Sequence, residues 1–284
     1  MLALLEKVSH GVLRTSGAQS HWIPTSVGRI HVYELGGTGF GTFVLLHGMG
    51  ATATAYTVLA RRLRKHARRV LLVDLPGHGR STEPPRGLDV AGLGGGLKQA
   101  LDGLLEPHER AVVLGNSLGG AAALRYALGS PERVGALVLT SPAGAPLSDE
   151  EHAAIRRTFA LRTREDARRF FQDLLHAPPW YFRALEASLV EQLGRPFIQA
   201  FLDAVRPEDF FTEEELAGLA APVTLLWGRS DRILPRSILE FYRRALPSTA
   251  QLEELDAVGH SLHMERPGLL LRRLLEARDR ARQS

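Results

Sequence analysis

Along the chain, short apolar runs alternate with longer amphipathic stretches. The runs are Thr42 to Gly48 (TFVLLHG), Arg69 to Gly77 (RVLLVDLPG), Ala111 to Ser117 (AVVLGNS), Ala136 to Pro142 (ALVLTSP) and Val223 to Gly228 (VTLLWG). They are bounded by Gly, Pro and Asp and hold almost no polar residue, as expected of central strands in a parallel sheet covered on both faces. The stretches between them, Thr54 to His66, Ala91 to Leu105, Leu118 to Leu128 and Arg236 to Leu246, carry helical periodicity. Strand alternating with helix predicts an α/β fold with a doubly wound sheet. Ahead of the first run, HWIPTSV and RIHVYELGG predict an antiparallel hairpin at the sheet edge.

One region breaks the alternation. From Ser148 to about Leu216 no strand-like run occurs; four amphipathic segments fall near 149–161, 164–176, 180–193 and 196–205. The expected organisation is a core over 1–146, a helical cap over 147–216 and the rest of the core over 217–284. Eight of the eleven Phe lie in the insertion, with Trp180 and Tyr181, so it needs either its own bulky core or an apolar lid over a pocket.

Composition narrows the chemistry. The 284 residues contain no cysteine, which excludes disulfides, thiolate metal sites and a cysteine nucleophile. The net charge is +4, and only Lys7, Lys65 and Lys98 are lysines, so nearly all the positive charge is arginine. The densest basic run, Arg61 to Arg69, accompanies no nucleic-acid-binding module and reads as a solvated helix face, as does the alternating tail Arg272 to Arg282. The first residues, MLALLEKVSHGVLRT, make a poor secretory leader, and no apolar stretch approaches membrane-spanning length. A cytoplasmic protein without stable membrane insertion is expected; oligomeric state is not readable.

Reactive groups can be placed on this frame. Gly115 to Gly119, GNSLG, fits G-x-S-x-G between a strand-like run and a helical stretch. That context is a nucleophile elbow, in which Ser117 takes a strained conformation and Gly115 and Gly119 let strand and helix approach, with Gly120 and Ala121 extending the small-residue patch. A serine nucleophile needs a base, and the base an orienting acid. Ligand-facing groups of an open sheet sit at the carboxyl ends of its strands. Asp231 follows VTLLWG, and His260 follows the stretch read as the last strand; Ser117, Asp231, His260 is the chain order this elbow requires. Asp256 is a rival acid that instead caps the last strand or its turn. His47, His78 and His263 read as loop hydrogen-bonding residues. The oxyanion donors expected are the N–H of Leu118 and, in the loop LLHGMGATA, that of Met49, with Gly48 and Gly50 turning the backbone inward.

Together HGMG, DLPGHGRS, GNSLGG, WGRSD and GHSLHMERP resemble the α/β-hydrolase superfamily, and within it the capped enzymes of the esterase, lipase and ring-cleavage-product hydrolase type. The resemblance runs from about Trp22 to Leu274. It implies a mostly parallel eight-stranded sheet with one antiparallel strand near its N-terminal edge and a cap inserted after strand six. It implies Ser117 as nucleophile, His260 as base, Asp231 as acid, an oxyanion hole at Met49 and Leu118, structural roles for Asp74 and His78, and no metal or organic cofactor. Serine in place of aspartate at the elbow implies acyl transfer on a small apolar acyl ester. The alternatives are C–C hydrolysis of ring-cleavage diketones, thioester or lactone cleavage, and a hydrolase-like binding protein without turnover. GNSLGG echoes the ring-cleavage group; its usual HG-x-GPGA loop reads HGMGATA here, and Ser261 replaces the aromatic that commonly follows its catalytic histidine.

Overall fold

The computed structural model describes residues 1–84 and 87–282. Eight strands form one sheet: β1 (Gln19–Thr25), β2 (Gly28–Gly36), β3 (Thr42–Leu46), β4 (Arg69–Val73), β5 (Ala111–Asn116), β6 (Val134–Thr140), β7 (Val223–Gly228) and β8 (Gln251–Leu255). Their spatial order is β1-β2-β4-β3-β5-β6-β7-β8. β2 runs antiparallel to both neighbours, with Trp22 opposite His31 in the edge hairpin, and every other pairing is parallel.

Among the described residues twelve α-helices accompany the sheet. Before the cap these are α1 (Leu2–Thr15), α2 (Thr57–Leu63), α3 (Val90–Leu104) and α4 (Leu118–Gly129). Then come α5 (Asp149–Phe159), α6 (Arg164–Leu174), α7 (Glu186–Leu193), α8 (Pro196–Ala204) and α9 (Glu213–Ala217), followed by α10 (Arg236–Ala245), α11 (Leu262–Glu265) and α12 (Pro267–Ala281). The apolar runs are continuous because both sheet faces are covered. Along β3, β4 and β5 the side chains alternate between two cores. Val44, Leu46, Leu71, Val73 and Val113 join α3, α4, α10 and the cap. Phe43, Leu45, Val70, Leu72, Val112 and Leu114 face Leu13 of α1, Leu59 and Leu63 of α2 and Leu270 and Leu274 of α12.

Between β6 and β7 the described chain is helical, α5 through α9. Its helices begin at marked positions. Ser148, Thr163 and Thr212 each accept the N–H three residues on, and Glu151, Asp166 and Glu215 reach back to the cap residue, closing a box that satisfies two otherwise orphaned donors. Cap side chains such as Phe159, Phe170, Phe197 and Phe201 belong to the same apolar cluster as the sheet. The aromatic insertion is thus both its own core, with Phe159 edge-on to Phe170, and a cover for the sheet's carboxyl end.

The basic run departs from its sequence reading. Helix α2 ends at Leu63, so Arg61 and Arg62 sit on a helix, but Arg69 opens β4 with its side chain mostly buried. It donates to Glu34 at 2.7 Å and to Glu109 at 3.1 Å, and Arg68 also pairs with Glu109. Arg69 thus belongs to the strand-like run and not to the solvated helix face, and Arg68 and Arg69 are held by carboxylates. In the tail, α12 does present a charged face, with Arg273 bonded to Glu253 and Glu276. Among the described residues no helix is long and apolar enough to cross a membrane.

The sheet centre should be the least tolerant part of the fold. Leu45 is fully buried in β3, so Leu45→Ala should lower unfolding free energy by about 2–5 kcal/mol in urea titration. A loss below about 1 kcal/mol would mean that the core repacks freely around β3.

Candidate active site

Ser117 stands where β5 ends and α4 begins, at φ 53° and ψ −118°. A β-carbon in this region is strained, and the surrounding chain holds it there. Ser117 donates its N–H to Thr140 O at 3.1 Å, and its carbonyl accepts from Gly120, Ala121 and Ala143. The flanking glycines answer to close approach. A β-carbon on Gly115 would run into the carbonyl of Gly119, 2.6 Å from its carbon, and one on Gly119 would strike the carbonyl oxygens of Leu46 and His47. β5 and α4 can meet only without those side chains.

His260 follows β8 and its side chain is 4% exposed. Its Nδ1 donates to Asp231 Oδ2 at 2.8 Å, which fixes the proton on Nδ1 and leaves Nε2 as the acceptor nitrogen. Asp231, in the turn after β7, has a fully buried side chain. Its Oδ1 accepts from the N–H groups of Ile233 and Leu234 at 2.9 and 3.2 Å. Burial pushes this carboxyl up, but His260, the Ser141 hydroxyl and those N–H groups outweigh it, and its pKa lies below the usual value. Asp256, the rival acid, is 84% exposed and paired with Arg229 at 3.4 Å.

The loop after β3 is held from both sides. His47 donates from Nδ1 to Gly48 O at 2.8 Å and accepts the Leu75 N–H on Nε2 at 3.1 Å. Ala51 N–H closes a tight turn on Gly48 O, with Gly50 at φ 69° in the third position, where a side chain would be strained. Met49 occupies the second corner, so the turn does not use its N–H. Leu118 is the first residue of α4, and its N–H has no acceptor within the helix.

Ser117, His260, Gly48, Met49 and Gly50 line one cavity of about 130 Å³, closed above by Phe159, Phe170, Leu189 and Leu193 from the cap. Ser117, Met49 and Phe159 also line a second, more apolar cavity of about 110 Å³ over α4. Two chambers therefore meet at Ser117. Two further residues, not singled out from the sequence, tie these loops together. Asn116 donates to Thr140 O at 3.0 Å and to His260 O at 3.1 Å, so the residue before Ser117 holds the histidine loop. Ser141, at φ 41° past β6, serves Asp231. The N of GNS was the only signal for the first; nothing marked the second.

The other histidines divide. His78 donates from Nδ1 to Pro76 O at 3.0 Å within its own turn, and lies against Phe197. His263 is buried against Tyr56, and its Nδ1 has no partner among the described residues, so it departs from the reading as a loop hydrogen-bonding residue. Burial is the main reason that both have pKa values lowered to about 3. A second buried His–Asp pair, His31 Nδ1 to Asp74 Oδ2 at 2.8 Å, has Ser20 Oγ 3.2 Å from its Nε2. Ser20 lies within strand β1, with no helix N-terminus to supply donors, and Asp74 also binds the N–H groups of Ala53 and Arg80. That cluster fastens β2 to two loops. Among the described residues no group of three or more candidate ligands could hold a metal ion.

Comparison with known proteins gives the family of the chain. A model of the alpha/beta hydrolase family matches residues 43–273, and the chain belongs to that family. It is 31% identical over 247 residues to the 2-hydroxy-6-oxononadienedioate/2-hydroxy-6-oxononatrienedioate hydrolase of Cupriavidus pinatubonensis, covering 82% of this chain and 84% of that one. It is 33% identical over 231 residues to the pimeloyl-[acyl-carrier protein] methyl ester esterase of Pectobacterium carotovorum, covering 72% and 82%. Among solved structures, a bacterial membrane phospholipase A described as a virulence factor superposes with TM-score 0.84 at 27% identity, over 100% of this chain and 92% of that one.

The buried histidines set a pH dependence of stability. His78 and His263 bind a proton near pH 3 when folded but near pH 6.5 when unfolded. The unfolded chain therefore takes up more protons in this window, and stability falls as pH drops from about 6.5 toward 3, by up to about 1.4 kcal/mol per pH unit for each histidine. Urea unfolding at pH 7.5 and pH 5 should show this loss, and His78→Asn should make the slope shallower. An unchanged slope would remove His78 as its source.

Proposed function

We propose that this alpha/beta hydrolase cleaves carboxylic esters through an acyl-serine intermediate on Ser117. The observation that carries the reading is convergence. A strained serine at a strand–helix elbow and a carboxylate-paired histidine line one cavity with Met49, whose N–H its own turn does not use. His260 Nε2 takes the Ser117 proton as Oγ attacks the ester carbonyl. The developing oxyanion rests against the N–H groups of Met49 and Leu118, where removing one such donor typically costs about 3–4 kcal/mol of transition-state stabilisation. Collapse expels the alcohol, protonated by His260, and the same histidine then activates water to release the acid. Asp231 stays ionised, holds the Nδ1–H tautomer and stabilises the imidazolium. The same steps serve thioesters and lactones. Ester cleavage is favoured by the esterase named among the relatives and by the phospholipase that matches the whole chain.

A second reading has its own support. The relative from Cupriavidus pinatubonensis is named a hydrolase of 2-hydroxy-6-oxo dienedioates, and this chain shares 31% identity with it across most of both. In that reading the same serine and histidine cleave a C–C bond next to a ketone. The HGMGATA loop and Ser261 depart from that group and weigh toward the ester.

A chromogenic ester series of rising acyl length separates the readings. The native protein should turn over, and Ser117→Ala and His260→Ala should each lose at least about a thousandfold in kcat with circular dichroism unchanged. Asp231→Asn should lose about as much, because the tautomer is wrong. Inert native protein that consumes a ring-cleavage dienol would sink the ester reading in favour of the second.

A further inference from the structure

The second cavity is built from two helix faces that change character along their length. Its floor is one stripe of α4, Leu118, Ala121, Ala122 and Arg125, spaced at helical turns. Its roof includes a stripe of α5, His152, Ile155 and Phe159. Phe159 also lines the chamber that holds Ser117 and His260, so α5 ends near the serine and begins away from it. Helix α4 does the reverse, starting at the serine. Arg125 lies seven residues beyond Leu118, about 10 Å along the axis. Both polar members, Arg125 below and His152 above, therefore stand at the end remote from Ser117. Between them the walls are apolar, among them Leu93, Ala143, Phe201 and Leu234.

The fold leaves both polar groups with hydrogen-bonding capacity unused. His152 Nε2 is buried with no hydrogen-bond partner among the described residues, and a buried polar atom left unpaired is costly. Arg125 has five N–H donors; its Nη2 donates to Asp209 O at 2.6 Å, its guanidinium sits 4.6 Å over the Phe211 ring, and Glu215 is 3.9 Å away. Asp209 also lines this end, but its carboxylate accepts the Arg206 N–H at 2.8 Å in its own turn. Arg125 is anchored by these contacts and keeps donors to spare.

We infer that the remote end of this cavity is a subsite for the distal carboxylate of a dicarboxylic acyl chain, received by Arg125 and His152. The inference rests on the acyl-serine reading, in that Ser117 marks where the other end of the chain lies. Ala121 and Ala122 leave room for an unbranched apolar middle, and the guanidinium supplies charge-assisted donors where that middle ends. The enzyme would then act on half-esters of diacids in preference to esters of simple fatty acids.

Binding of the product acids tests this without turnover. Titration calorimetry on the full-length chain would compare each diacid from adipate to azelate with the monocarboxylic acid of equal carbon count. The best diacid should bind about tenfold or more tighter than its monoacid. Arg125→Gln should abolish that preference while leaving the monoacid unchanged, and His152→Leu should reduce it. Arg125→Lys keeps the charge and guards against misfolding; it should retain part of the preference. Monoacids binding as well as diacids, a preference that survives both Arg125→Gln and His152→Leu, or no binding of either acid at millimolar concentration would each overturn the subsite. A diacid preference in a protein inert toward every ester would keep the subsite and discard the ester reading. Ester turnover without the preference would do the opposite.

Discussion

The conformation of Ser117 is the constraint on which the rest depends. A non-glycine residue at φ 53° costs about 1–3 kcal/mol and must be over-determined by its surroundings. Here four backbone bonds on Ser117 and two neighbouring glycines do so, and each has a structural consequence. The bond to Thr140 fixes the end of β6 beside the elbow. The carbonyl's bond from Ala143 fixes the loop after β6. The approach of Gly119 to Leu46 and His47 places the loop after β3 against the start of α4, which is what brings Met49 and Leu118 to the same side of the serine. A side chain at Gly119 would separate those loops even if Ser117 were untouched.

The second requirement is electrostatic. Asp231 is fully buried and must remain charged, so its oxygens are satisfied by His260, by two backbone N–H groups and by Ser141. An isolated buried carboxylate would instead protonate. His47, His78 and His263 are buried nearby without carboxylate partners and are held neutral by desolvation. His260 differs from them in having Asp231 on Nδ1. The same type of side chain thus plays three parts within one region, and the second atom on its ring decides which.

Much of this was legible in the chain because its signals are local. An apolar run covered on both faces has no alternation to lose, so β3, β5 and β7 emerged from the sequence within a residue or two, and β4 began where its run begins but ended four residues short of it. The elbow was legible because strand, glycine, serine and glycine are contiguous. What escaped depended on partners distant in sequence. Asn116 holds His260 O across 144 residues, and Ser141 meets Asp231 from another strand end. Arg69 closes a basic run read as a helix face, yet its partners are Glu34, within β2, and Glu109, just before β5. Helix α1 has weakly patterned apolar residues, several of which, such as Leu4 and Val8, remain exposed, so periodicity did not announce it.

The cap shows why the fold and the elbow were easier to read than the cavities beneath it. Each side chain at the serine has one acceptable partner and geometry, so its identity carries information. The substrate chambers are instead defined by the space that residues leave. Ala121 and Ala122 matter there because they are small, and Phe159 matters because it divides two chambers while packing on Phe170. None of these roles has a motif. A helix stripe becomes a chamber floor only when a second helix, from a segment read as an interruption of the sheet pattern, lies over it in the opposite direction. That meeting in three dimensions, not any pattern along the chain, puts Arg125 and His152 on the lining of one cavity.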